Sequence, residues 1–160
     1  MNVLIEFLEL PQLLGTSYFT FYDFQISENV SKLLKYYEGK GLAQVLSWKL
    51  PSYIGESDVH YYGKIFAMQD CLFRSMNHVD FVAFNDLDEH IVPFQYGEMV
   101  SMLRSIHKEK HCGHCFQSAT FVLSGRRRQN SWPVTQNVFN RRPKADPTRP
   151  KCVVDKKQSF

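Results

Sequence analysis

The chain has 160 residues, a formal net charge of +3 and an apolar fraction of 44%. These totals predict one folded domain, because the apolar residues suffice for a core and the charged residues are too few for general disorder. The basic excess lies in the last third, which favours a solvated segment over a nucleic-acid site. No apolar run is long enough to span a bilayer, and acidic residues near Met1 argue against a signal peptide. Four irregularly spaced cysteines leave the redox compartment open.

The first part of the chain predicts a strand, a helix and a second strand. Aromatic and β-favouring residues at 17–23 predict a strand that ends at Asp23. Ser27 is the predicted N-cap of a helix with apolar residues at helical spacing, which ends at Gly39. A second strand is expected over 42–48.

A longer helix is predicted from about 57 to 76, capped by Ser57 or Asp58. Its expected apolar face consists of Val59, Tyr62, Phe66 and Phe73. Gln69 falls on that face and Asp70 lies beside it. Because buried polar side chains need partners, both residues are candidates for lining a site, although ordinary hydrogen bonding between elements explains them as well.

Residues 79–84 are almost continuously apolar, which predicts a strand buried on both faces. A helix over 97–107 and a strand over 115–123 follow. This alternation of strands and helices is typical of an α/β sheet with helices packed on it. From residue 124 the chain is expected to be irregular, apart from extended stretches at 134–139 and 152–154.

A run of acidic residues directly follows the predicted buried strand, at the sheet edge where ligands gather in open α/β folds. In extended backbone, Asp86 and Asp88 point the same way, so both can approach one hard cation. Magnesium or manganese held in this way neutralises a diphosphate leaving group. Glu89 is a candidate for metal contact, sugar binding or general base catalysis. The alternative is a solvated acidic turn without a catalytic task.

Histidine and cysteine residues cluster between positions 107 and 115, and both types bind zinc. The members are His107, His111, Cys112, His114 and Cys115. Their spacing matches no standard zinc finger, and Cys115 begins a predicted strand, which points neighbouring side chains to opposite faces. We therefore favour a surface loop that allows an occasional disulfide.

Four stretches occur together in an order and at spacings typical of a known family. They are residues 4–7 with 13–15, residues 18–23, residues 69–74, and residues 81–89 with 92–93. Over roughly residues 3–123 the chain resembles glycosyltransferase family 92, formerly a domain of unknown function, which includes galactosyltransferases.

The resemblance implies a GT-A type nucleotide-diphospho-sugar fold, a Rossmann-like mixed sheet with flanking helices. It implies Mn²⁺ or Mg²⁺ on Asp86 and Asp88, and inverting transfer from a UDP-sugar, UDP-galactose first, to a glycan hydroxyl on a glycoprotein or glycolipid. Asp23, together with Gln69 and Asp70, becomes a candidate donor contact. Family members resemble Golgi enzymes with an N-terminal membrane anchor and a lumenal catalytic domain.

The resemblance also implies a domain that is incomplete at both ends. The family opens with a strand that precedes the matched motif and helps to hold the nucleotide base, whereas this chain starts almost inside the motif. We therefore expect residues 1–123 to form a partial GT-A domain without the membrane anchor, and residues 124–160 to be a truncated, basic continuation.

Two other hypotheses remain open at this point. The first is a non-catalytic remnant that keeps the sheet and binds neither donor nor acceptor. The second is another metal-dependent enzyme that handles phosphate, such as a nucleotidyltransferase or phosphatase, because an Asp-x-Asp pattern shows only that a cation meets phosphate oxygens.

Overall fold

The structure is a computed structural model that describes residues 1–55, 58–108, 111–122, 140–141 and 145–155. The chain divides into two compact units. One unit combines Met1–Thr16 with Asp80–Phe160, and we call it the discontinuous unit. The other consists of Ser17–Val79, and we call it the continuous unit.

The continuous unit begins with a β-α-β arrangement of β1 (Phe19–Asp23), α2 (Glu28–Gly39) and β2 (Ala43–Ser47). The two strands are parallel and paired along their whole length. The Ser27 hydroxyl accepts a hydrogen bond from the Val30 N–H, which confirms the predicted N-cap. The buried side chains of this arrangement are Phe19, Leu34, Tyr37 and Ala43.

The predicted long helix is wrong in its first half. A short 3₁₀ helix (His60–Gly63) precedes α3 (Lys64–Ser75). Inside the segment His60–Gly63 the backbone of Tyr61 and Tyr62 is left-handed, with φ of 47° and 54°. An α-helix of L-residues excludes that conformation, so the regular helix begins only at Lys64.

The predicted apolar face of this helix is also not buried. Three of its members are exposed: Tyr62, Phe66 and Phe73. The buried residue of α3 is Ala67. Asp58 accepts a hydrogen bond from the Gly55 N–H and does not cap α3. Ser57, the other predicted cap, lies outside the described residues.

The discontinuous unit starts with a helix that the sequence analysis did not predict, α1 (Asn2–Leu13). Leu4, Leu8 and Pro11 recur at helical spacing and are buried. The Leu14 carbonyl then accepts a hydrogen bond of 2.8 Å from the Met99 N–H at the start of the next helix of this unit.

The described residues in the rest of this unit form one helix and five short to medium strands. They are β3 (Phe81–Ala83), α4 (Met99–Ile106), β4 (Gly113–Ser118), β5 (Phe121–Val122), β6 (Asn140–Arg141) and β7 (Asp146–Asp155). One antiparallel sheet has the order β3-β7-β4, and β5 pairs with β6 in a second. The predicted helix over 97–107 is confirmed by α4.

Three expectations about the sheets need correction. The strand predicted over 79–84 is only three residues long, pairs only with β7 among the described strands, and buries Val82 but not Ala83. The extended stretch predicted at 152–154 is confirmed, but it belongs to a longer strand at 146–155, the middle strand of a sheet, within a segment expected to be otherwise irregular. The stretch at 134–139 lies outside the described residues. The described strands also fall into three small sheets. The mixed α/β class is confirmed, but a complete GT-A sheet is not.

The core of the discontinuous unit lies where α4 packs on β7. Its buried members are Ile91, Met99, Met102, Leu103 and Val153, with Phe81 and Phe116 packed against them. Beside this core, Cys115 and Cys152 face each other across β4 and β7 and form a disulfide, whereas Cys71 and Cys112 are free. Among the described helices, none is long and apolar enough to cross a membrane.

We expect Leu103→Ala to lower the free energy of unfolding by about 2–5 kcal/mol, because it leaves a cavity in this core. Leu103 is 1% exposed, whereas Leu13 is 79% exposed. Leu13→Ala is therefore the matched control, with an expected change within about 0.5 kcal/mol. Urea denaturation followed by circular dichroism measures both, and equal losses would contradict the assigned core.

Loss of the Cys115–Cys152 disulfide should lower the free energy of unfolding by about 2–4 kcal/mol, since the unfolded chain regains the freedom of the closed loop. A reducing agent should then lower the melting temperature of the wild type and of Cys112→Ser. It should leave the Cys115→Ser/Cys152→Ser variant, whose melting temperature is already lower, unchanged. A wild type insensitive to reduction would argue against the pairing.

Candidate functional site

The acidic residues that follow β3 form a tight turn and not an extended segment. The Glu89 N–H donates to the Asp86 carbonyl at 3.0 Å, which closes a β-turn with Leu87 and Asp88 at its exposed tip. The expectation that extended backbone aligns Asp86 with Asp88 is therefore wrong. The two residues that flank the tip, Asp86 and Glu89, come together in its place.

A lysine on β7 joins these two carboxylates. The pairing of β3 with β7 sets Ala83 opposite Val153, and the Phe84 N–H continues the ladder to the Cys152 carbonyl at 3.4 Å. Lys151 precedes Cys152 in β7, and the strands are antiparallel. Its backbone therefore lies beside the segment that leads from β3 into the turn. Its position is a direct consequence of the strand register.

The Lys151 ammonium lies between the two acidic side chains. Its Nζ is 2.8 Å from Asp86 Oδ2 and 2.6 Å from Glu89 Oε2. Glu89 Oε2 also accepts a hydrogen bond of 3.2 Å from the Asp86 N–H. The side chains of Lys151, Asp86 and Glu89 are 22%, 43% and 31% exposed, so water screens the cluster only in part.

The carboxylates hold Lys151 in its charged form. Partial burial alone would lower the pKa of Lys151, but hydrogen bonds to Asp86 and Glu89 outweigh it and raise the pKa above its usual value. Two negative charges thus converge on a single positive one. In electrostatic terms, this is a cation position already filled by the protein's own ammonium group.

Two further polar atoms beside the turn have no hydrogen-bond partner among the described residues. Both Asn85 Oδ1 and His90 Nδ1 are buried. Burial lowers the pKa of His90, against the opposing charges of Glu6 and Asp88, so its ring is biased toward the neutral form. A buried acceptor without a hydrogen-bond partner is costly. The Asn85 amide oxygen, next to Asp86, therefore indicates an additional ligand here more strongly than the His90 ring does.

The oxygen atoms of the acidic turn and of Asn85 are of the kind that bind a hard divalent cation. Carboxylate and amide oxygens are the groups that magnesium and manganese prefer. Among the described residues, no group of three or more His, Cys, Asp or Glu side chains is arranged to hold a metal ion. A cation that also binds phosphate needs only one or two carboxylates, because phosphate and water supply the other ligands.

The other candidate residues belong to the continuous unit. Asp23 ends β1, and its buried Oδ1 has no hydrogen-bond partner among the described residues. Gln69 is exposed on α3, so the argument that it needs a buried partner does not hold. Asp70 Oδ2 accepts hydrogen bonds from Tyr22 at 2.7 Å and from Arg74 at 2.6 Å.

The family model for Glycosyltransferase family 92 matches residues 1–160. The chain belongs to this family. No curated protein and no solved structure matched it.

Membership of glycosyltransferase family 92 supports a transferase activity with a nucleotide sugar as donor and a glycan as acceptor. It also suggests glycosylation in the secretory pathway. The match reaches beyond the predicted boundary at residue 123 and therefore includes β7 and Lys151. The cluster of Lys151, Asp86 and Glu89 thus lies entirely within the residues that the family model matches.

The histidine and cysteine cluster of the transferase does not form a zinc site in the described structure. Cys115 is bound to Cys152. The ring centroids of His107 and His111 lie 6.0 and 5.9 Å from that of His114, and no metal-holding group is found among the described residues. His107 and Asp155 line a cleft of about 250 Å³ at the opposite end of β3 from the acidic turn.

Lys151 and Asn85 are the site residues that sequence reasoning missed. Lys151 belongs to the basic last third of the chain, where the composition favours a solvated segment. The available signal was its position immediately before the extended stretch at 152–154, which places a lysine at a strand position. Apart from its place next to Asp86, no feature of the sequence predicts that Asn85 belongs to the site.

The Asp70 cluster predicts a specific pH dependence of stability. Hydrogen bonds lower the pKa of Asp70 below its usual 3.8, with a larger effect from Arg74 than from Tyr22. Burial, followed in size by the hydrogen bond to Asp70, raises the pKa of Tyr22. A lowered carboxyl pKa stabilises the fold above about pH 4 and loses this effect as the pH falls through the lowered pKa. Wild type should therefore be more stable than Asp70→Asn at pH 7, with a difference that shrinks in acid.

Denaturant titrations at several pH values measure this difference. The control is Glu28→Gln, which removes an exposed carboxylate paired with Lys32 on α2. Its stability difference from wild type should stay small at every pH, because exposed helix pairs contribute little. A difference for Asp70→Asn that persists undiminished at low pH would show that its carboxylate charge is not what stabilises the cluster.

Proposed function

We propose that this glycosyltransferase moves a hexose, with galactose as the first candidate, from a UDP-sugar to a glycan hydroxyl with inversion. The observation that carries the proposal is the convergence of Asp86 and Glu89 on one cation position in a chain of glycosyltransferase family 92. The acceptor is proposed to be a glycan on a glycoprotein or glycolipid.

The acidic turn is the proposed site of Mn²⁺ or Mg²⁺, with Asp86 and Asp88 as ligands and Glu89 beside them. When bound, such an ion neutralises the charge that develops on the leaving diphosphate. Support comes from the two carboxylates that already hold a positive charge and from the unpartnered buried Asn85 Oδ1. Asp88 is exposed at the turn tip, where a ligand from solvent can reach it.

The proposed reaction is a single displacement. The acceptor hydroxyl oxygen forms a bond to the anomeric carbon while the bond from that carbon to the diphosphate oxygen breaks. UDP leaves with the electron pair, and the hydroxyl proton passes to a general base. The role of Glu89 as catalytic acid or base stays a prediction, since its carboxylate accepts hydrogen bonds from Lys151 and the Asp86 N–H.

Asp23 remains a proposed donor contact, because its buried Oδ1 has no described partner at the carboxyl end of a parallel strand. The support for Asp70 and Gln69 is weaker, since Asp70 bonds to Tyr22 and Arg74 and Gln69 is exposed. We also propose the Golgi lumen as the place of action, with attachment to the membrane through an N-terminal anchor. The Cys115–Cys152 disulfide supports an oxidising compartment.

Calorimetric binding of UDP and UDP-galactose, with and without Mn²⁺, tests the site. We expect nucleotide binding to require Mn²⁺ and to weaken at least about tenfold in Asp86→Asn and Asp88→Asn, each of which removes one charged ligand. Asp80→Asn is the matched control, because Asp80 is an exposed aspartate at the other end of β3, paired with Arg104 at 3.3 Å.

Each departure from this result has a defined meaning. Loss in Asp86→Asn with none in Asp88→Asn would move the second ligand from Asp88 to Glu89. Stronger binding of a nucleoside triphosphate than of UDP-galactose would favour another phosphate-handling enzyme. A folded chain that binds neither UDP nor UDP-galactose would contradict the donor site and favour a non-catalytic remnant.

A further inference from the structure

The Lys151 ammonium differs from a typical surface lysine in how firmly the fold places it. It lies on the middle strand of a three-stranded sheet, and its neighbour Cys152 is bonded to Cys115 on the adjacent strand. Its side chain is 22% exposed and contacts two carboxylates at once. A single exposed lysine pair contributes little, whereas a partly buried ammonium between two acids is strongly held.

This ammonium lies where a divalent cation would bind. An ion held by Asp86 must approach the oxygen that now lies 2.8 Å from Nζ, beside Glu89 Oε2, which lies 2.6 Å from Nζ. Like charges at such a separation repel strongly, so the ion and the ammonium cannot both keep these contacts. The metal and the Lys151 side chain therefore compete for one position.

The displaced ammonium has a natural second partner. Lysine carries its charge on a flexible four-carbon stem, so Nζ can leave the carboxylates while the backbone stays in the β7 ladder. A nucleoside diphosphate bound to such a metal would bring negative oxygens to the same turn. Lysine is a common phosphate ligand because its charge is compact and its three donors rotate.

On the basis of the proposed function, we infer that Lys151 is a donor-binding residue that alternates between two partners. Without metal it neutralises Asp86 and Glu89. When a divalent cation binds to Asp86, beside Glu89, Lys151 is released and binds the diphosphate of the nucleotide sugar. In the metal-free form, Lys151 thereby reduces the repulsion between the Asp86 and Glu89 carboxylates. In the loaded form, it makes the binding of metal and of diphosphate mutually favourable.

The test measures Mn²⁺ alone and UDP at saturating Mn²⁺ by calorimetry on the full chain. Lys151→Met removes the charge and keeps most of the stem. We expect its affinity for Mn²⁺ to rise about fivefold or more, because the competing ammonium is gone. Its affinity for UDP at saturating Mn²⁺ should fall about tenfold, the loss of one charged hydrogen bond.

Three variants control this measurement. Lys151→Arg keeps the positive charge and should bind Mn²⁺ no more tightly than wild type, because its bidentate guanidinium also competes for the carboxylates. Lys32→Met removes an exposed lysine paired with Glu28 and should change neither affinity. Lys151→Gln keeps a donor for one carboxylate and replaces the methionine variant if that variant does not fold.

The outcomes separate this inference from the proposed function. If Asp86→Asn abolishes Mn²⁺ binding but Lys151→Met binds Mn²⁺ no more tightly than wild type, the competition is wrong and the metal site stands. Tighter Mn²⁺ binding with unchanged UDP affinity overturns the phosphate contact. No Mn²⁺ binding by wild type or by either uncharged variant overturns both the inference and the metal site on which it rests.

Discussion

The pairing of β7 with strands on both of its sides is the constraint on which the discontinuous unit depends. The ladder with β3 sets Asp155 opposite Phe81 and leads to Lys151 beside the acidic turn. The ladder with β4 sets Cys152 opposite Cys115, where the disulfide forms. A slip of one residue would turn Val153 out of the core and move the ammonium to the other face of the sheet.

The same register explains why a glycine is needed on β4. Gly113 lies opposite Val154, and a Cβ at this position would come within 2.6 Å of the Val153 carbonyl oxygen. Any larger residue would push the strands apart at the point where Val153 enters the core. Core packing, the disulfide and the cation cluster are thus consequences of one strand alignment.

What could be predicted from sequence was local in origin. The α2 helix carries its own cap and periodicity, and α4 concentrates apolar residues on one face, so both were predicted close to their observed bounds. The α1 helix also has apolar residues at helical spacing, but Pro11 within its last turn and acidic residues along its length obscured the pattern. The break at Tyr61 and Tyr62 has no sequence signal, because tyrosine rarely adopts left-handed backbone.

The acidic turn and Lys151 show the same division between local and distant information. The acidic run marked the turn, but its partner Lys151 lies 65 residues further along the chain and becomes a neighbour only through the sheet. An Asp-x-Asp pattern also does not determine which two acids cooperate. In extended backbone the residues at i and i+2 share a face, whereas a β-turn brings the residues at i and i+3 together.

The geometry of this turn changes how the acidic pattern is understood. Two carboxylates held close together without a cation would repel each other and raise the energy of the fold, so the metal-free state needs a positive charge of its own. A lysine supplies that charge reversibly, since an ammonium gives way to a divalent ion more easily than the bidentate guanidinium of arginine would. Under the proposed function, the central strand would keep that lysine near the site after displacement, close to the phosphate that would accompany a metal.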